Sequence, residues 1–275
     1  MIAKIQRMLR LKPYYWLFVI FLLVLGILAL LAPLFPFDPV ATDIPNRLQA
    51  PQWAHPFGTD ELGRDYFSRI LYGARVSLLV GLASMVMATL IGSLIGFLSA
   101  YIGGTLDAVL MRLIDLISSV PSLVLTTVLA ALLKPGLLTI IIIISFFTWM
   151  SIARLVRAES LSLKERDYVK YAQFLGFKPL TIIRRHILPQ VFPTIIVGAT
   201  SVVASAIMME STLSFLGLGI QPPQSSWGSL LQNAQSYLQL APYMAILPGL
   251  LIILTIVSFN GLGNLIRDSY DLEER

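Results

Sequence analysis

The chain lacks cysteine, has only two histidines, and is poor in charge: 13% of its 275 residues are Asp, Glu, Lys or Arg. The missing cysteine excludes disulfides and thiolate metal sites. His55 and His186 stand far apart without a ligand cluster nearby, which argues against a zinc centre. No Gly-Lys pair occurs anywhere, so the phosphate-cradling signature GxxxxGK[ST] is absent. No Ser-His-Asp grouping and no paired inward carboxylates suggest catalysis, so the chain reads as non-catalytic, with no cofactor or metal of its own. Soluble domains run near a quarter charged and under half apolar. Here 56% is hydrophobic and mean hydropathy is +0.79, more apolar surface than a water-soluble fold of this length can hide. A bilayer can accept it.

Six apolar runs follow one another at about 14–35, 77–101, 107–133, 137–156, 191–214 and 243–261. Each is long enough to cross hydrocarbon about 30 Å thick. Backbone groups in lipid must be satisfied within the segment, so the runs are expected to be helices. The fold class is therefore all-α, an integral membrane protein with six transmembrane helices. The first run follows Lys4, Arg7, Arg10 and Lys12 but is longer than a signal-peptide core and has no clear cleavage site, so it reads as an uncleaved helix.

The positions of Lys and Arg orient the chain. With the N-terminus inside, the inner segments hold the four N-terminal bases, Arg112, Arg154, Arg157, Lys164, Arg166, Lys170, Lys178, Arg184, Arg185, Arg267 and Arg275. The outer side keeps only Arg47, Arg64, Arg69, Arg75 and Lys134. That bias places both termini in the cytoplasm and the protein in the cytoplasmic membrane. The net charge of +5 thus reflects topology, and no nucleic-acid partner is expected. The expected organisation is a cytoplasmic N-terminus (1–13), a first transmembrane helix (14–35), an extracytoplasmic loop (36–75) and a five-helix core (76–275) with a cytoplasmic loop at 157–190.

The loop at 36–75 opens with Pro36, Pro39, Pro45 and Pro51, which favour an extended path. Thr59 or Asp60 is then expected to cap a short helix through Tyr72. In the second span Ser84, Ala88, Gly92, Gly96, Ala100 and Gly104 recur every fourth residue, a stripe on which another helix can pack closely. Arg112 and Asp115 share one face of the third span and suggest a local ion pair or interfacial anchor, and Pro121 a kink. Glu210, near the outer end of the fifth span, needs water or a partner, and either pairing within the complex or contact with cargo would supply it. Gly261 and Gly263 suggest a helix stop in the sixth.

The inner loop runs Lys164-Glu-Arg-Asp-Tyr-Val-Lys-Tyr-Ala-Gln-Phe-Leu-Gly-Phe-Lys-Pro-Leu-Thr-Ile-Ile-Arg-Arg-His-Ile-Leu-Pro189. It reads as a helix to Leu175, a stop at Gly176, and a second short helix opened by Pro179. A basic amphipathic element of this kind suits either the membrane surface or a cytosolic partner.

This loop resembles the coupling motif of bacterial ABC importer permeases, with Ala172, Gly176 and His186-Ile-Leu-Pro189 in register. Lys170 and Tyr171 stand where that motif has Glu-Ala. Two further segments resemble the C-type subunit of the dipeptide, oligopeptide and nickel branch. One is His55-Pro-Phe-Gly-Thr-Asp-Glu-Leu-Gly-Arg-Asp65 with Tyr72-Gly-Ala-Arg-Val-Ser-Leu78. The other is Leu213-Ser-Phe-Leu-Gly-Leu-Gly-Ile-Gln-Pro-Pro223 with Ser226-Trp-Gly228. The resemblance covers nearly the whole chain.

It implies a second homologous permease subunit, two cytosolic ABC ATPase subunits that hold the ATP and magnesium, an extracytoplasmic substrate-binding protein, and membrane lipid around the assembly. Asp167, Tyr168, Lys170, Tyr171, Ala172, Gly176, Pro179 and Leu180 would form the ATPase-coupling surface. Peptide is the expected cargo, with nickel or a metal chelate as the alternative. An ion-gradient-driven transporter is the distant rival, since it would favour carboxylates at mid-membrane, whereas Asp115 and Glu210, the residues it would use, sit near opposite ends; Arg112, Asp115 and Glu210 are the candidate pathway or pairing residues.

Overall fold

The computed structural model describes residues 2–35 and 38–271. Pro36 and Arg275, used above, lie outside the described residues, as does the side chain of Lys4. The described residues form helices α1 (Ile2–Leu11), α2 (Tyr15–Leu31), α3 (Tyr66–Ile102), α4 (Gly104–Ser118), α5 (Ser122–Leu132), α6 (Leu137–Lys164), α7 (Asp167–Phe174), α8 (Pro179–Ile182), α9 (Leu188–Phe215), α10 (Trp227–Ala234) and α11 (Tyr243–Asp271). Five helical spans among them are long and apolar enough to cross a membrane, and α4 with α5 makes a sixth if the bent pair counts as one.

That bent pair corrects the third expected span. Residues 107–133 are two helices meeting at 78° rather than one kinked helix. Pro121 is the cause: it cannot donate to the helical ladder, and it disfavours helical geometry in the residue before it.

α3 corrects the outer loop. Its 37 residues begin at Tyr66, so there is no separate short helix from Thr59 or Asp60. The cap is Asp65, whose carboxylate accepts from the Ser68 amide at 2.8 Å. At about 1.5 Å per residue α3 outruns the hydrocarbon thickness, so part of it must project beyond the bilayer.

α3 and α6 form the tightest seam. Ser84, Ala88, Gly92, Gly96 and Ala100 are all buried. A methyl group on Gly92 would sit 2.5 Å from the Trp149 carbonyl, and one on Gly96 2.7 Å from that of Ala153. Backbones approach this closely only where side chains are absent, and such contact drives helix association in lipid. Gly104 falls outside the stripe: α3 ends at Ile102, and Gly104 opens α4 with open space around it.

α9 packs across α3 and α6, α11 packs along α9, and α2 lies on α11. Gly261 and Gly263 do not stop α11, which continues to Asp271. They let neighbours in: a methyl group would fall 2.2 Å from the Phe18 ring and 2.5 Å from the Thr200 hydroxyl. Lys12 and Tyr15 both bond the Asp268 carboxylate, at 2.5 and 2.9 Å, tying the start of α2 to the end of α11.

Candidate coupling surface and loop-side clasp

Candidate functional side chains collect at the two ends of the helical body. At the basic end, α6 runs on to Lys164, so the expected loop from 157 shortens to the segment 165–187. α7 ends in a Schellman turn. The Phe177 amide donates to the Ala172 carbonyl at 3.2 Å and the Gly176 amide to that of Gln173 at 3.0 Å. This turn requires positive φ at Gly176, which stands at +78°. Pro179 then opens α8, and residues Ile183–Ile187 wind as a π-helical turn into α9.

The element has two faces. Val169, Ala172, Ile182 and Ile187 are buried with Ile152 and Val156 of α6 and Val191 of α9. Tyr168, Tyr171, Phe174, Leu175, Phe177 and Leu180 are exposed, Phe174 by 87% and Leu180 by 74%. Asp167 lies in the first turn of α7, where its charge suits the helix N-terminus. Tyr168 packs near His186, ring centroids 6.4 Å apart. Lys170 pairs with Glu165 at 2.8 Å on the surface. Their hydrogen bond raises the Lys170 ammonium above its ordinary range and holds the Glu165 carboxyl below its own.

Beneath this element lies an arginine clasp that the sequence reading missed. Arg157 on α6 forks onto Asp107 of α4, with one nitrogen at 2.6 Å, and Ser99 of α3 also donates to Asp107. The Lys164 ammonium meets the Ala100 and Tyr101 carbonyls at the end of α3, at 3.3 and 3.0 Å. Arg154 reaches Asp115 at 3.2 Å and Ser118 at 3.0 Å. Asp115 therefore pairs across to α6 instead of with Arg112, which is exposed. Fifty residues separate Asp107 from Arg157, so no local spacing rule could link them.

At the opposite end, the 38–65 loop is organised around buried Asp60. Its carboxylate accepts from the Leu62 and Arg64 amides, both at 2.9 Å, from Arg64 Nε at 2.7 Å, and from Arg69. Glu61 takes another Arg64 nitrogen at 2.8 Å, and Asp65 bonds His55 at 2.9 Å while capping α3. The Tyr243 hydroxyl reaches the Gln49 and Thr59 carbonyls, at 2.9 and 2.7 Å, joining the loop to α11.

Beside the clasp, α10 inserts Trp227, which is fully buried. Its indole N–H donates to the Ile70 carbonyl at 3.3 Å. Ser226 and Ser229 cap α10 reciprocally. Glu210 is also fully buried and accepts from Ser77 at 3.0 Å and Ser214 at 2.7 Å, joining α3 to α9. Its partners lie in this same chain.

A third feature is a strip on α9. Ser201, Ser205 and Met208 are exposed and Thr212 is half-buried along one side; with Leu123 of α5 and Asn260 of α11 they line a groove of about 470 Å³. The four-residue spacing of the serines was the signal available in sequence.

Apolar spans, a two-faced basic element and a loop-side clasp define a multi-pass membrane protein. The chain belongs to the family of binding-protein-dependent transport system inner membrane components, whose pattern matches residues 89–271. It is thus a component of the cytoplasmic membrane.

It is 43% identical over 234 residues to the Escherichia coli K12 protein named "Probable D,D-dipeptide transport system permease protein DdpC", covering 85% of this chain and 78% of that one. It is 39% identical to the glutathione transport system permease protein GsiD of Pectobacterium atrosepticum, covering 81% and 74%. It is 38% identical to the oligopeptide transport system permease protein OppC of Bacillus subtilis, covering 86% and 77%. The fold is shared with an inward-facing structure of the MetNI methionine ABC transporter, at TM-score 0.63 and 16% identity over 74% of this chain and 97% of that one.

Proposed function

We propose that this chain is one of two permease subunits of an ATP-driven importer of peptides, coupled to its ATPases through α7 and α8. The observation that carries this reading is the two-faced element. Six large apolar side chains face solvent on a segment whose other face is keyed into α6 and α9. Exposed apolar clusters mark contact sites. An ATPase groove that holds Tyr171, Phe174, Leu175 and Leu180 would transmit its movement through Val169 and Ile182 to the membrane helices. ATP then selects between two packings of those helices.

The relatives named for dipeptide, oligopeptide and glutathione transport support peptide as the cargo. The loop side would receive the substrate-binding protein, and the α9 strip would face the second permease across the pathway. Polar side chains on a spanning helix belong against water or protein, not lipid.

The test is co-purification of the co-expressed transporter and measurement of its ATPase activity with binding protein and peptide. Phe174→Asp and Leu180→Asp are expected to release the ATPases while leaving the permease pair folded. If neither change weakens association, the docking surface lies elsewhere. If transport follows an ion gradient without any ATPase, the importer reading fails.

A further inference from the structure

The loop-side groove between α2 and α3 has no role in this coupling scheme. It encloses about 700 Å³, within the span of about 300–1,000 Å³ common for small-ligand sites. Its walls are apolar: Gly26 and Leu30 of α2, Val40 of the loop, Leu79 and Leu82 of α3, and Leu137 at the start of α6. The polar side chains of its lining are those of Tyr72, Arg75, Gln224 and Ser225. Arg75 is exposed, and its guanidinium lies 5.7 Å from the Tyr72 ring centroid. Among the described residues no carboxylate lies within ion-pair distance of it. This differs from Arg64, Arg69, Arg154 and Arg157, each of which is held by an aspartate.

We propose that this groove binds an anionic glycerophospholipid, with one acyl chain along the α2–α3 seam and the phosphate on Arg75. The groove has the polarity of such a molecule: an apolar slot that begins at the membrane boundary and a single unneutralised cation at its mouth. Guanidinium presents a planar fork of donors that matches phosphate, and an aromatic ring under it suits the interfacial belt. α2 is the most apolar span and the least covered by protein, so lipid has free access to the slot. A helix of another subunit would fill the apolar part but satisfy Arg75 only if it also brought a carboxylate there, and the photoprobe below distinguishes the two occupants. The proposal rests on membrane placement alone, so it stands or falls separately from the importer reading.

The full-length chain, with whatever subunits co-purify, is reconstituted in nanodiscs of equimolar phosphatidylglycerol and phosphatidylethanolamine, and the lipid retained after detergent extraction is quantified by mass spectrometry. Wild type is expected to retain phosphatidylglycerol preferentially. Arg75→Ala should lower that preference about fivefold, the effect of one basic residue at an anionic surface, while Arg47→Ala leaves it unchanged. Leu79→Trp should reduce retention of both lipids by filling the slot. Because the chain has no cysteine, Leu79→Cys carries a unique photoprobe, and a lipid adduct is expected. A phosphatidylglycerol preference indifferent to Arg75→Ala overturns the proposal. So does a photoprobe adduct on a neighbouring protein subunit, which would make the groove a subunit interface.

Discussion

The clasp around Asp60 and the α7–α8 element differ in what they leave to solvent. In the loop-side clasp the charges are largely buried and paired within the chain: Asp60 holds Arg64 and Arg69, and Asp65 holds His55, while Arg75 outside the clasp stays exposed. Glu210, buried among serines, follows the same pattern. At the basic end the chain leaves Tyr171, Phe174 and Leu180 in water. A closed network rigidifies its own subunit, whereas an uncovered apolar face is complete only against a partner. The loop-side end holds α3, α9, α10 and α11 together, and under the proposed coupling the other end would be the one that an ATPase moves.

The largest expected effect is at Asp60. Asp60→Ala leaves the buried Arg69 guanidinium with only Glu61, at 4.0 Å, while Arg64 keeps Glu61 at 2.8 Å, and breaking a buried pair this way costs about 3–5 kcal/mol. Thermal unfolding in detergent should show it; a change as small as that of a surface mutation would mean that the clasp is solvated. Next is the α3–α6 seam. Gly92→Leu forces bulk against the Trp149 carbonyl and should cost at least about 1–3 kcal/mol by the same assay. Gly26→Ala, which meets open space, should be close to neutral. Glu210→Ala removes the acceptor shared by Ser77 and Ser214 and is expected to cost about 1–3 kcal/mol.

Gly176→Ala sharpens the comparison at the basic end. Nothing crowds the added methyl group, but positive φ costs an L-residue about 1–2 kcal/mol. Hydrogen exchange should speed up in α7 and α8 and stay unchanged in α10. The smallest effect is at Lys170. Its pair with Glu165 is exposed, so Lys170→Ala should leave the unfolding temperature unaltered. Because the Glu165 carboxyl is held below its usual range, the pair is present at neutral pH and is lost only as pH falls through that lowered value. Titration of Glu165 by NMR in wild type and Lys170→Ala checks the direction: the carboxyl should titrate at higher pH in the variant.

Much of this was legible in sequence because it depends on short-range rules. The apolar runs gave the spans, the four-residue spacing from Ser84 to Ala100 gave the seam, and Gly176 with Pro179 gave the turn between α7 and α8. Errors came where a local signal had a tertiary use. Gly261 and Gly263 looked like a helix end but are sites of close approach for Phe18 and Thr200. Asp60 looked like a helix cap but serves as the anion beneath two arginines. Arg112 and Asp115 had the spacing of a pair, yet Asp115 found Arg154.

The sequence by itself determined a helical membrane subunit, its number of apolar runs and the position of its two-faced basic element, because hydrocarbon thickness and helix periodicity act on neighbours along the chain. Only the tertiary structure decided that the third run breaks at Pro121 into two helices, that Asp107 meets Arg157, and that Glu210 is enclosed by serines. Pro121 marks a break locally but not its angle, and the Asp107–Arg157 and Ser77–Glu210 contacts join groups far apart in sequence, whose partners are selected by desolvation in a packed interior and not by spacing.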